Sequence, residues 1–176
     1  MHYQAERTNG CRISDSWTYR NLKTAILENE LLRVVVLVDK GADIYQLIHK
    51  QSDTDFLFRS PWGVRDPSKF IPTTGWPAGK WLDVYEGGWQ SMFPAAGFPS
   101  NHNGAELGIH AEVNTIPWDC EITEDTPDQV SLRCWVKGVR MPFSGEKTLT
   151  LKSNSPILHI QETITNEGEE PEMCVW

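Results

Sequence analysis

Between Tyr85 and Trp118 the chain collects side chains that bind ligands and exchange protons. His102 and His110, Glu106 and Glu112, and Gln90 and Asn101 lie among Gly87, Gly88, Gly97, Gly104 and Gly108, with Trp89 and Trp118 close by. Imidazole ordinarily titrates near neutral pH. Glycine lets backbone approach a ligand closely, and indole offers a flat apolar face with one donor. The mixture suits a polar small-molecule pocket. The competing reading is a structural knot of aromatics, with Asn101-His102-Asn103-Gly104 a plain turn and Trp89 a core residue. Read as extended chain, Ile109 to Val113 puts Glu112 on the same face as His110, where it is placed to orient the ring or lies as a surface acid.

The elements around this stretch read as strands. Leu22 to Glu28, Glu30 to Val38 and Ala42 to His49 are rich in Leu, Ile and Val, and Asp55 to Arg59 is a short fourth run. Gln129 to Lys137 alternates with period two, with Val130, Leu132, Cys134 and Val136 on one face. Lys147 to Lys152 and Pro156 to Asn166 continue the pattern. No segment shows a helical stripe. Pro61 to Asp83 holds four prolines and Trp62, Trp76 and Trp81, which predicts a long ordered loop, functional or capping one end of the fold. The fold class that follows is all-β: an antiparallel two-sheet sandwich, with the central stretch lining a concave face.

The 176 residues suit one domain, 1–176. With 39% apolar and 23% charged residues, disorder is excluded as the general state. A formal net charge of −8 argues against nucleic acid and anionic membrane as partners. No stretch has the length of a membrane span or the apolar core of a signal peptide. Cys11, Cys120, Cys134 and Cys174 are scattered, with no C-x-x-C pair, so reduced thiols in a cytoplasmic protein are expected. Glu172 to Trp176 reads as the start of a strand, so the expectation is a truncated domain.

Three groups of residues, in order along the chain, resemble the galactose mutarotase-like (aldose 1-epimerase-like) family. They are Leu31 to Leu37 with Gly41-Ala42-Asp43-Ile44; Gly108-Ile109-His110-Ala111-Glu112 with Pro117-Trp118; and Leu158-His159-Ile160 leading to Thr165-Asn166-Glu167-Gly168. The resemblance implies an all-β supersandwich, of which this chain is the N-terminal part, and a protein that interconverts or binds sugar anomers. Ring opening of a sugar needs a base on the C1 hydroxyl and an acid on the ring oxygen. By the family pattern His110 is the catalytic or sugar-contacting group, while the family's second His and base Glu would fall beyond Trp176. An Arg that holds the sugar upstream of the first His has no counterpart between Arg65 and Arg133, and Gln90, Asn101 or His102 stands in for it. Trp89 is placed to stack on a sugar face, and Glu112 to act beside His110.

Two alternatives stand beside this reading. One is a carbohydrate-binding sandwich without catalysis. The other is a cupin-like metal site on His102, Glu106, His110 and Glu112, whose donors suit Zn, Fe or Mn. Position 104 is Gly, so the His-x-His spacing of a cupin fails. The expectation is therefore no metal and no cofactor, a small-molecule sugar as ligand, and self-association of the 176-residue chain through open strand edges.

Overall fold

The structure, a computed structural model, describes residues 7–66 and 68–176. Antiparallel strands dominate it. One sheet has five strands in the order β1–β2–β3–β4–β5: Arg12–Tyr19, Leu22–Glu28, Leu32–Leu37, Asp43–His49 and Thr54–Asp55. A short hairpin follows, β6 (Ser100–His102) with β7 (Ala105–Leu107). The second sheet has four strands in the order β11–β10–β9–β8, formed by Leu158–Asn166, Phe143–Lys152, Gln129–Lys137 and Asp119–Asp125. The all-β sandwich expected from the alternation is what the chain forms.

The two sheets share one core. Ala25, Leu27, Val34, Val36 and Ile44 pack with Val130, Leu132, Cys134, Val136, Leu149 and Leu151. Burial pushes the Cys134 thiol up to about 12. Phe93 lies inside this core because residue 145 is Gly: a Cβ there would stand 2.3 Å from the Phe93 ring. Trp118 meets Phe93 edge-on at 6.4 Å and is anchored by its indole N–H on the Val113 carbonyl at 2.9 Å.

The first sheet is apolar on both faces. On its outer side Leu22, Val35, Leu37 and Tyr45 form a second cluster, closed by Val64 from the long loop. The Arg59 guanidinium lies 3.7 Å over the Tyr45 ring. The proline-rich segment thus covers a sheet face. It is also not wholly a loop: Pro77–Val84 forms a helix, α1, with proline in its first turn. The expectation of no helix is corrected here, because a proline at the first helical position gives up an N–H that has no intrahelical partner anyway. The expected strand from Asp55 to Arg59 shrinks to Thr54–Asp55. There Asp55 Oδ1 draws the Leu47 and Leu57 amides out of a regular ladder, at 3.3 and 3.1 Å. At the other end of the chain, Val175 pairs in parallel with Ala95. No helix among the described residues is long and apolar enough to cross a membrane.

Candidate functional site

Tyr85 to Gly97 runs from the first sheet to the second and supplies two polar regions of opposite character. Its start is tied to β4 and to the end of the β5 loop. The Trp89 N–H donates to the Ile44 carbonyl at 2.9 Å, and the Gly88 N–H to that of Phe58 at 2.9 Å. Gly87 has φ +93, and a Cβ there would stand 2.2 Å from the Phe58 carbonyl oxygen, so only glycine fits this crossing.

The first region is a partly exposed aromatic ledge headed by His110. The His110 backbone is left-handed, φ 53, a conformation that histidine tolerates better than most residues. Two bonds hold it there: its N–H donates to the Gly97 carbonyl at 2.9 Å, and ring Nδ1 lies 2.8 Å from the Ala96 carbonyl oxygen. A carbonyl only accepts, so Nδ1 carries the proton and Nε2 is the free acceptor. Nε2 has no hydrogen-bond partner among the described residues. The ring sits edge-on to Trp81 at 4.8 Å; Trp81 stacks on Tyr85 at 4.5 Å, and Tyr85 on Phe58 at 6.4 Å. Helix α1 is what delivers Trp81 to this stack. Trp81 and His110 are half-buried and Phe58 is exposed, so the ledge offers apolar ring faces beside one imidazole acceptor.

Glu112 does not share that face. Residues 109–111 form a turn rather than a strand, Glu112 makes only an isolated bridge to Pro94, and its side chain goes into the fold at 5% exposure. Its carboxylate accepts the backbone N–H groups of Val139, Arg140 and Met141 at 2.9, 3.0 and 3.3 Å. It fastens the turn between β9 and β10. His102 stands on the β6–β7 hairpin with Nε2 2.6 Å from Glu172, and Asn101 Oδ1 accepts the Gly104 amide at 3.1 Å within the same hairpin. Among the described residues no group of three or more His, Cys, Asp or Glu side chains is arranged to hold a metal. Trp89 is pinned by its backbone while its side chain stays about half exposed (52%).

The second region is a charged network closed between the sheets, and Gln90 belongs to it. Gln90 Nε2 donates to Asp43 Oδ2 at 2.9 Å and its carbonyl accepts from Asn114 at 3.4 Å. Lys40 hydrogen-bonds the fully buried Glu86 and lies 3.7 Å from Asp43. Lys147, 2% exposed, donates to Ser91 Oγ at 3.0 Å and lies 3.9 Å from Glu162; Ser91 in turn donates to Glu162. Burial, with the neighbouring Glu86 carboxylate, holds the Asp43 carboxyl well above its ordinary range, against the pull of Lys40 and Lys147. Burial also lowers the Lys147 ammonium, against the pull of Asp43 and Glu162. Asp43 Oδ1, Glu86 Oε1 and Asn114 Oδ1 are buried without a hydrogen-bond partner among the described residues.

Lys40, Asp43, Glu86, Ser91, Asn114, Lys147 and Glu162 were not singled out by the sequence reading, and neither was the Trp81–Tyr85–Phe58 stack. For two of them a signal existed. Lys147 has the same strand parity as Leu149 and Leu151, and Glu162 the same as Ile160 and Ile164. A charge at a core position of an alternating strand marks a buried ion pair.

No family model matches this chain. No curated protein matches it either. Among solved structures it is similar to a TPR-domain containing protein from Parabacteroides distasonis, at 17% identity and a TM-score of 0.47. The likeness covers 84% of this chain and 22% of that one, so the chain spans about a fifth of the length of that protein.

Proposed function

We propose that this sandwich binds a sugar on the ledge made by His110, Trp81, Tyr85 and Phe58. The observation that carries the reading is the imidazole fixed by the Ala96 carbonyl with Nε2 free, edge-on to a run of stacked aromatic rings. Sugars present one face of C–H groups and a rim of hydroxyls. The rings take the face, and Nε2 accepts from a hydroxyl. The resemblance of the stretch around His110 to aldose 1-epimerases points the same way. Binding is favoured over anomer interconversion because ring opening needs an acid and a base. The ledge supplies one imidazole and the Tyr85 phenol, whose proton burial holds more tightly, and no carboxylate is hydrogen-bonded to the imidazole among the described residues.

The same reading makes a small-molecule sugar the partner, with no cofactor, and places the protein in the cytoplasm, where the four free thiols stay reduced. It keeps self-association as an expectation, since β11 is paired on one side only. Calorimetric titration with free monosaccharides tests the binding. His110→Ala and Trp81→Ala each weaken it about ten-fold or more, on the scale of one hydrogen bond or one stacking contact. Affinity unchanged in both variants removes the ledge from the site. Polarimetry on freshly dissolved α-glucose and α-galactose tests turnover, and the expected rate is that of the buffer.

A further inference from the structure

Polar groups that serve neither the ledge nor the network meet at a third place. A cleft of about 500 Å³ is lined by Asn21, Leu22, Lys40, Arg65, Phe70 and Val84, among others. It lies between the start of β2, the turn after β3, and the segment around α1. Its volume falls within the roughly 300–1,000 Å³ typical of small-molecule pockets.

The charges around it are unequal in how far they are already committed. Arg65 is exposed, lies 4.9 Å over the Phe70 ring and spends only Nε, on the Asp83 carbonyl at 3.4 Å. Its terminal nitrogens have no carboxylate partner among the described residues. Asp83 turns its own carboxylate to Thr73, accepting the amide and the hydroxyl at 2.9 Å each. Asp66 is occupied by Asn21 and Ser68 at 3.0 and 2.7 Å and by Lys69 at 3.6 Å. Asp39 also lines the cleft; it accepts the Lys23 amide on Oδ2 at 2.6 Å and keeps its other oxygen without a partner. Lys40 forms part of the wall while its ammonium reaches inward to Glu86. The cleft therefore offers a planar guanidinium whose terminal nitrogens are open, one open carboxylate oxygen, and apolar patches from Leu22, Val84 and Pro117.

We propose that this cleft binds a small hydroxylated carboxylic acid of the size of a sugar acid. Its carboxylate sits on Arg65, the fork geometry that guanidinium recognises, and a hydroxyl donates to Asp39. A neutral sugar leaves the guanidinium unpaired. A simple fatty acid leaves Asp39 facing carbon. This site is separate from the His110 ledge and does not depend on sugar binding there.

The test is an amide NMR titration at fixed ionic strength with sodium D-glucuronate and, in parallel, D-glucose. Glucuronate is expected to shift the Asn21, Arg65 and Thr115 amides saturably, and glucose to leave them in place. Arg65→Met weakens glucuronate about ten-fold or more, as expected for loss of a charge-assisted bond; Arg65→Lys retains part of the affinity. His110→Ala leaves glucuronate binding unchanged, which separates this site from the ledge. The proposal is overturned by shifts that do not saturate, by equal responses to both probes, or by full affinity in Arg65→Met.

Discussion

The two polar regions served by Tyr85 to Gly97 hold their charge in opposite ways. Between the sheets, Lys40, Asp43, Glu86, Lys147 and Glu162 neutralise one another inside the core. On the ledge, His110 sits beside half-buried and exposed aromatic rings, the Tyr85 phenol among them, and keeps a nitrogen free. The network is closed to solvent, and the atoms it leaves without a partner, Asp43 Oδ1, Glu86 Oε1 and Asn114 Oδ1, are buried where a ligand does not reach them. An open ledge is incomplete by itself, and a ligand completes it. The amount of polar chemistry in a stretch is therefore a weaker guide to function than the groups it leaves without a partner at the surface.

If that division is right, substitutions in the network change stability and substitutions on the ledge change binding. The largest effect is expected for Lys147→Met. It strips the cation from Glu162 and Asp43 inside the core and lowers unfolding free energy by about 3–5 kcal/mol, read by urea denaturation. A loss below about 1 kcal/mol would mean that the buried pair is hydrated in solution. Glu112→Ala comes next, at about 2–3 kcal/mol, because it orphans the amides of Val139, Arg140 and Met141. Sugar affinity is expected to survive in the folded fraction. Its loss there would restore Glu112 to the ledge.

The third effect depends on pH. The Asp43 carboxyl is raised in the folded state, so protonation favours folding. Its contribution is fully present below the ordinary carboxylate range and is lost as pH rises through the raised value. Asp43→Asn stays neutral throughout and fixes the group in its uncharged form. Denaturation midpoints measured against pH should fall more steeply for the natural chain than for Asp43→Asn across that window. Parallel curves would mean that Asp43 does not carry this pH dependence. The smallest stability change, within about 1 kcal/mol, is expected for His110→Asn. Asparagine accepts the left-handed backbone and the site is at the surface, yet sugar affinity should drop about ten-fold.

The sandwich was legible because the alternation of Gln129 to Lys137 and Pro156 to Asn166 is a local property. β1 was not, since Arg12–Tyr19 is a half-exposed strand with an irregular register between Ser14 and Trp17 and carries no apolar stripe. Helix α1 was hidden by the prolines that were read as excluding it. His110 was legible as a residue, but its ledge was not. Trp81 and Tyr85 reach it through α1, and Phe58 comes from a loop that one sequence does not place beside it. The network pairs residues as distant as Ser91 and Glu162, and only the strand parity of Lys147 and Glu162 hinted at it.

The central claim is that sugar completes the ledge and leaves the network untouched. Amide and side-chain NMR during titration with a monosaccharide tests it most directly. Saturable shifts at the Trp81 indole, Tyr85, Gly97 and His110, with Asp43, Gln90 and Lys147 unmoved, are the predicted result. Shifts centred on Asp43, Gln90 and Lys147 with a silent His110 would contradict it.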